Sequence, residues 1–250
     1  MSGHSKWSRI KRQKGVTDAR RGQLFTKLTR EIIAVTRQGG PNPESNFRLR
    51  LAIQKARDSN MPLDNIDRAI KKGSGGLEGV NFVEVTFEGY GPGGVAVLIE
   101  VLTDNRNRTL QELRSLFTRH GGSLSEAGSV SWLFESEGII TVETDGVDVE
   151  ELALLAIDAG ADDVKMEKDC LEIHTSPQNL EVVRHVVEQM KSVVSAEVTL
   201  VPKNTVALGE KESLQALRLL DHFEELDDVQ RVVSNADFSE AALEKLQTEV

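Results

Sequence analysis

Apolar residues recur at helical spacing in the first third of the chain and mostly at strand spacing after it. Leu24, Phe25, Leu28, Ile32 and Val35 fall on one stripe with Arg30 and Arg37 opposite, and Gly39-Gly40 closes that helix. Asn42 with Pro43 and Glu44 reads as the start of a second helix. Its segment Phe47–Ile53 alternates like a strand, but Gln54-Lys-Ala-Arg57 carries the helix on without β-branched residues. A third helix begins near Pro62, places Leu63, Ile66 and Ile70 on one side, and stops before Gly73. Gly73-Ser-Gly-Gly76 then reads as a linker.

Beyond it, Phe82–Glu88 and Val95–Leu102 are strand-like, and Gly91-Pro-Gly-Gly94 reads as the turn of a hairpin. Thr109-Leu-Gln-Glu112 has the form of a capping box opening a helix that Gly121-Gly122 closes, and Val130–Phe134 is the next expected strand. From Gly138 the order is strand 139–143, helix 149–159, strands 163–167 and 170–175, helix 177–191 and strand 196–201. Asp148 with Glu151, and Ser176 before Pro177, mark the helix starts. This βαββαβ order is that of the ferredoxin-like plait. A remaining helix 211–225 and strand 229–234 cannot form a domain alone, but with residues 82–134 they complete a second sandwich. The expected class is therefore α+β: an N-terminal three-helix domain, then two ferredoxin-like α/β sandwiches, one inserted in the other. The expected boundaries are 1–76, a discontinuous 80–136 plus 204–236, an inserted 137–203, and a tail over 237–250.

Charge changes this picture more than composition does. The net charge is −10 over 250 residues, yet residues 1–72 hold 17 Lys and Arg against 6 Asp and Glu, a net +11, which leaves −21 for the remainder. The excess is densest in an arm, Ser2 to Gly22, with Lys6, Arg9, Lys11, Arg12, Lys14, Arg20 and Arg21 against Asp18. The arm has no apolar period, and Gly3, Gly15 and Gly22 loosen it. Such an arm suits a polyanion, because each neutralised phosphate releases counterions; it is equally the composition of a solvated terminus. Trp7 within it is available to stack on a base. The −21 body should repel phosphate at physiological salt.

Thr103-Asp-Asn-Arg-Asn-Arg-Thr109 is the other candidate. Arg106 and Arg108 sit just before a helix N-terminus, where free N–H groups and the dipole favour an anion. The alternative is that Asp104 and the asparagines shape the turn while both arginines pair with nearby acids. Cys170, Glu172 and His174 alternate along one strand on what reads as an exposed sheet face, too thin a set for a metal site. The glycine-rich turns lack the spacing of a phosphate-binding loop, and no catalytic constellation stands out. The single cysteine excludes an internal disulfide and fits a reducing compartment. No cofactor, metal, membrane or small-molecule substrate is expected.

Several segments resemble the YebC family. Ser2-Gly-His-Ser-Lys-Trp7, Ile10-Lys11, Lys14, Arg21-Gly22 and Phe25-Thr-Lys-Leu28 are similar to its opening. Asn60-Met-Pro62, Arg68-Ala-Ile70, Glu88-Gly-Tyr-Gly-Pro-Gly-Gly-Val-Ala-Val97, Thr103–Thr109 and Gly128-Ser-Val130 follow in the family's order. The likeness runs from Ser2 to about residue 235, dense to residue 135 and looser in the inserted plait. Gly15-Val16-Thr17 and Phe47 depart from it. The resemblance implies a three-domain cytosolic protein without enzymatic activity; because the likeness starts at Ser2, no leader is expected. It implies either a DNA-binding transcriptional regulator of the YebC/PmpR type, acting at promoters, or a ribosome-associated translation factor. The second group includes the mitochondrial translational activator of cytochrome c oxidase subunit I and relatives tied to polyproline stalling.

The leading expectation is thus a non-enzymatic regulator that binds nucleic acid, with ribosomal RNA ahead of promoter DNA. Lys6, Trp7, Arg9, Lys11, Arg12, Lys14, Arg20 and Arg21 are the expected contacts, and Arg106 and Arg108 are secondary ones. A protein-interaction module using the acidic domains is the reading from another class.

Overall fold

The computed structural model describes residues 18–75, 81–166 and 170–248. It divides into two compact units, one made of residues 1–133 with 204–250 and the other of Phe134–Lys203.

The first unit opens with three helices: α1 (Asp18–Gly39), α2 (Phe47–Asp58) and α3 (Leu63–Ser74). The apolar stripe of α1 enters their shared core through Leu28, Ile32, Ile33 and Val35, packed with Leu49, Ile53 and Ile66. Helix α2 starts four residues later than Asn42 suggests. Asn42 instead builds a turn, its side chain accepting the Glu44 N–H and its carbonyl the Asn46 N–H. The true cap is Asn46, whose Oδ1 accepts the Leu49 N–H at 3.1 Å while its amide donates to the Val35 and Gly40 carbonyls, at 2.9 Å each. One buried amide thus ends α1 and begins α2. Gly73 is not part of a linker. It lies inside α3, where a Cβ would stand 2.7 Å from Thr36 Cβ and 2.8 Å from the Ile33 carbonyl, so its lack of a side chain lets α3 cross α1 closely.

Strands β1 (Val83–Tyr90) and β2 (Ala96–Thr103) pair antiparallel across the expected Gly91–Gly94 turn. Helix α4 (Arg106–Arg119) follows, then β3 (Ser123–Ser125) on the outer edge of β1. The third strand is therefore 123–125 and not 130–134. Residues 131–133 form a 3₁₀ turn, and the residues from Phe134 belong to the next strand. Nor does Thr109 cap α4: Asn105 does, accepting the Arg108 N–H at 3.1 Å, and Thr109 is fully buried one turn in.

After the second unit the chain returns with β8 (Val206–Ala207), α7 (Glu210–Glu224), β9 (Val229–Ser234), β10 (Ala236–Asp237) and α8 (Glu240–Thr248). Strand β9 pairs with β2, which gives the sheet order β3-β1-β2-β9. Val97, Ile99 and Val101 face α4 and α7, whose Phe117 and Phe223 rings meet at 4.7 Å. The stretch after residue 236 is no bare tail, since Ala242 and Leu243 of α8 are buried in this core.

The second unit is β4 (Phe134–Glu143), α5 (Val149–Asp158), β5 (Asp163–Met166), β6 (Cys170–Thr175), α6 (Leu180–Glu188) and β7 (Val193–Pro202). Its antiparallel sheet has the order β5-β6-β4-β7, the plait topology. Asp148 caps α5 as read, accepting the Glu150 and Glu151 N–H groups. Helix α6 begins at Leu180, because Ser176–Asn179 closes a turn first. Cys170, Glu172 and His174 are buried, not exposed, and His174 Nδ1 lies 2.7 Å from Glu137.

The Gly73 contact carries a prediction. Gly73→Ala should lower stability by about 1–3 kcal/mol through overpacking, read as a lower urea midpoint. Gly22→Ala meets nothing within 4 Å in α1 and should raise it by roughly 0.5–1 kcal/mol through helix propensity.

Candidate nucleic-acid interface

Thr103 ends β2 and Arg106 begins α4, so the arginine segment is a strand end, a two-residue turn and a first helical turn. Its polar side chains converge on Asp228, in the turn between α7 and β9. The Thr103 and Thr109 hydroxyls lie 2.9 and 2.7 Å from Asp228 Oδ2, and an Arg108 guanidinium N–H donates to the same oxygen at 2.7 Å. Arg30 of α1 donates to the other oxygen at 2.6 Å. Arg108 also donates to Asp104 at 2.8 Å.

Burial raises the cost of the Asp228 charge, but hydrogen bonds from Thr109, Arg108, Thr103 and Arg30 outweigh it and lower its pKa from 3.8 to about 2. Arg108 is held firmly protonated by its bonds to Asp228 and Asp104.

Helix α1 adds to the same contact. Gln23 donates to the Glu225 carbonyl at 2.9 Å, Lys27 to the Glu224 carbonyl at 2.5 Å, and Arg30 to the Asp227 carbonyl at 2.8 Å. These donors, four and three residues apart, form one stripe aimed at the C-terminal end of α7, where unpaired carbonyls and the dipole favour cations.

The two arginines of the segment therefore part company. Arg108 is consumed by the fold, the arrangement of the structural alternative. Arg106 is exposed, with no ion pair among the described residues. Of the arm, Lys6, Trp7, Arg9, Lys11, Arg12 and Lys14 lie outside the described residues. Arg20 falls within α1, and Arg21 is exposed on it. Arg48 pairs with Glu84 and Lys55 with Glu31. Arg57, Arg68, Lys71 and Lys72 are exposed and without ion pairs among the described residues.

Sequence reasoning missed a further basic face. With Thr109, Leu113 and Phe117 of α4 buried, the opposite side presents Gln111, Arg114, Ser115, Thr118 and Arg119 around a shallow groove. The one acid of α4, Glu112, faces a different cleft, with Gln23, Asp104 and Asp228. The helical period around Leu113 and Phe117 held the signal, but averaging the body to −21 hid it. At the end of α4, His120 packs against His222, with ring centroids 4.8 Å apart and planes tilted by 43°. Burial, then His222, Arg119 and Arg218, push the His120 pKa down.

The profile of the TACO1/YebC protein N-terminal domain matches residues 5–76, and that of the TACO1/YebC second and third domain matches residues 82–236. This chain belongs to the TACO1/YebC family. A TACO1/YebC relative from Dehalococcoides mccartyi, named a probable transcriptional regulatory protein, is 60% identical over 250 residues, covering all of both chains. Another of that name from Thermotoga maritima is 52% identical over 98% of each chain. The crystal structure of a conserved hypothetical protein from Aquifex aeolicus superposes with a TM-score of 0.82 at 50% identity, over 89% of this chain and 93% of that one. Among the described residues no helix is long and apolar enough to cross a membrane.

The Asp228 cluster predicts a stability signature. Asp228→Asn should cost about 2–4 kcal/mol in chemical denaturation, because two arginines lose their shared carboxylate. The folded carboxyl titrates below the unfolded one, so its contribution is complete above about pH 4 and lost as pH falls towards 2. Across that window the wild type should lose roughly 2 kcal/mol more than Asp228→Asn.

Proposed function

We propose that this protein regulates gene expression by binding nucleic acid, and that its physiological polymer is RNA on the ribosome. The observation that carries the reading is the separation of its cations into two kinds. Arg30, Arg48, Lys55 and Arg108 are tied to acids, whereas Arg21, Arg57, Arg68, Lys71, Lys72 and Arg106 project into solvent. Cations left exposed on one part of an acidic protein suit a polyanion. The arm residues Lys6, Arg9, Lys11, Arg12, Lys14 and Arg20 add to this charge, and Trp7 supplies a ring. A glycine-interrupted basic segment suits irregular RNA better than base readout in a duplex groove. On this reading the protein carries out no chemistry of its own.

Promoter DNA is the second reading. The names of the relatives favour it, and so do Gln111 and Arg114 on α4, side-chain types that read base edges in a major groove. Crosslinking in cells followed by sequencing separates the two. Enrichment of ribosomal RNA supports the first, promoter fragments replace it with the second, and recovery of neither removes both.

Two variants test the contacts. Deleting Ser2–Gly15 removes Lys6, Arg9, Lys11, Arg12 and Lys14, and should reduce the slope of log affinity against log salt by roughly 4 units for a duplex, at about 0.9 per phosphate contact. Arg106→Ala should weaken binding at unchanged melting temperature, whereas Arg108→Lys should lower the melting temperature, because lysine cannot bridge Asp104 and Asp228 with a planar fork. Equal melting losses in both would remove Arg106 from the interface.

A further inference from the structure

Glu88 is buried on β1, at 4% exposure, yet its partners are backbone groups of a loop forty residues away. Its carboxylate accepts the N–H groups of Gly128, Val130 and Ser131 at 2.8, 2.6 and 2.9 Å. Burial pushes the Glu88 pKa up, and these three bonds more than offset it, so the group stays ionised. Val130 is fully buried beneath the loop, and its carbonyl accepts the Leu133 N–H at 2.9 Å. The segment 128–133 is therefore a fixed shelf.

The shelf holds two aromatic rings. Trp132 Nε1 donates to the Ser129 carbonyl at 3.1 Å, and the Tyr90 hydroxyl donates to the same oxygen at 3.3 Å. Both polar tips are thus spent inside the protein, while the apolar rings remain outside, Trp132 at 66% and Tyr90 at 38% exposure. A tryptophan exposed to this degree and anchored by its own N–H is a pre-ordered surface for a planar ligand.

The surroundings identify that ligand. Ser123 and Ser125 pair with Tyr90 and Glu88 across the sheet edge, and Gly128, Ser129 and Ser131 complete the border. These residues are small, and the serines among them carry hydroxyls. A protein-sized interface needs roughly 800 Å² per partner around an apolar centre; this unit's other exposed large apolar side chains, among the described residues, are Phe47, Leu63 and Val83 on α2, α3 and the far end of β1. The footprint is that of one or two rings. Arg119 lies four residues before Ser123, within about 15 Å of extended chain, and supplies positive charge near the rings.

We propose that Trp132 and Tyr90 form a stacking platform for an unpaired nucleobase, so that the protein prefers single-stranded or looped nucleic acid to duplex. The proposal rests on the nucleic-acid reading above and deepens it.

The test uses the full chain and fluorescence anisotropy of a labelled, mixed-sequence single-stranded RNA and of its duplex with the complement. Trp132→Ala should weaken single-strand binding roughly 5- to 150-fold, the range for loss of one stacked base. Duplex binding should change less than about twofold, and the melting temperature should hold. Trp132→Phe should restore part of the single-strand affinity. Equal weakening for both RNAs, or no change for either, overturns the platform while leaving the nucleic-acid reading in place. Absence of binding by the wild type to both RNAs and to duplex DNA overturns the reading and the platform together. A Trp132→Ala defect confined to a purified protein partner, with RNA affinity unchanged, also overturns the platform.

Discussion

A single buried carboxylate joins the parts of this unit that lie farthest apart in sequence. Asp228 gathers a donor from α1, one from the end of β2 and two from the first turn of α4. A charge with 7% of its side chain exposed pays several kcal/mol in lost hydration. Only a full set of donors makes that position tolerable, and the bonds from Thr109, Arg108, Thr103 and Arg30 lower the Asp228 pKa in spite of burial. The carbonyl of the same residue accepts the Leu102 N–H, so backbone and side chain both bind the turn to β2. Helix α1 cannot dock its Gln23, Lys27 and Arg30 stripe until α7 and the turn after it are in place, because its acceptors are the carbonyls there. The helical part and the sheet part are thereby joined by contacts between residues some 200 positions apart.

That contact also sorts the positive charge. An arginine bonded to a buried acid has its guanidinium geometry committed, and moving it to a phosphate would strand the acid. Arg30 and Arg108 are in that position, so they act on a ligand only by holding their neighbours still. Among the described residues, Arg106, two residues from Arg108, and Arg114 and Arg119 farther along α4 carry no such obligation. The same helix is thus fastened by one face and left available on another. A strand-to-helix junction fixed in this way gives exposed side chains a defined origin, which favours geometric discrimination over mere attraction.

Helices and plait were legible because their signals are local. The stripe Leu28, Ile32, Val35 and the cap at Asp148 each lie within a few residues of the element they define. The errors arose where two local solutions compete. Asn42 and Asn46 both have the chemistry of a cap, and only burial of the Asn46 amide between Val35 and Gly40 decides between them. Thr109 looks like a cap from its neighbours but serves Asp228, 119 residues later. Arg106 and Arg108 are equivalent in sequence for the same reason, their difference being a partner on another element. Gly73 was legible as a glycine but not as a contact, since Thr36 and Ile33 lie on α1. Glu88 and Gly128-Ser-Val130 both fall in segments that resemble the family, yet nothing in their spacing shows the carboxylate-to-amide bonds that join them.

Charge distribution decides how such a protein can approach a polyanion. At physiological salt the field of an exposed charge decays over about 8 Å, so a phosphate approaching the helices responds chiefly to the local excess of cations. The −21 of the remaining chain acts as a broad, weak repulsion that disfavours the wrong orientation. The α4 face is an exception within that acidic part, and so is the aromatic shelf, whose attraction is short-ranged and indifferent to salt. A ligand must come close, and present an unstacked base, before the shelf contributes anything. On the proposed reading, attraction by the basic surfaces and retention by the rings are separable, the first set by charge and the second by the shape of the bound strand.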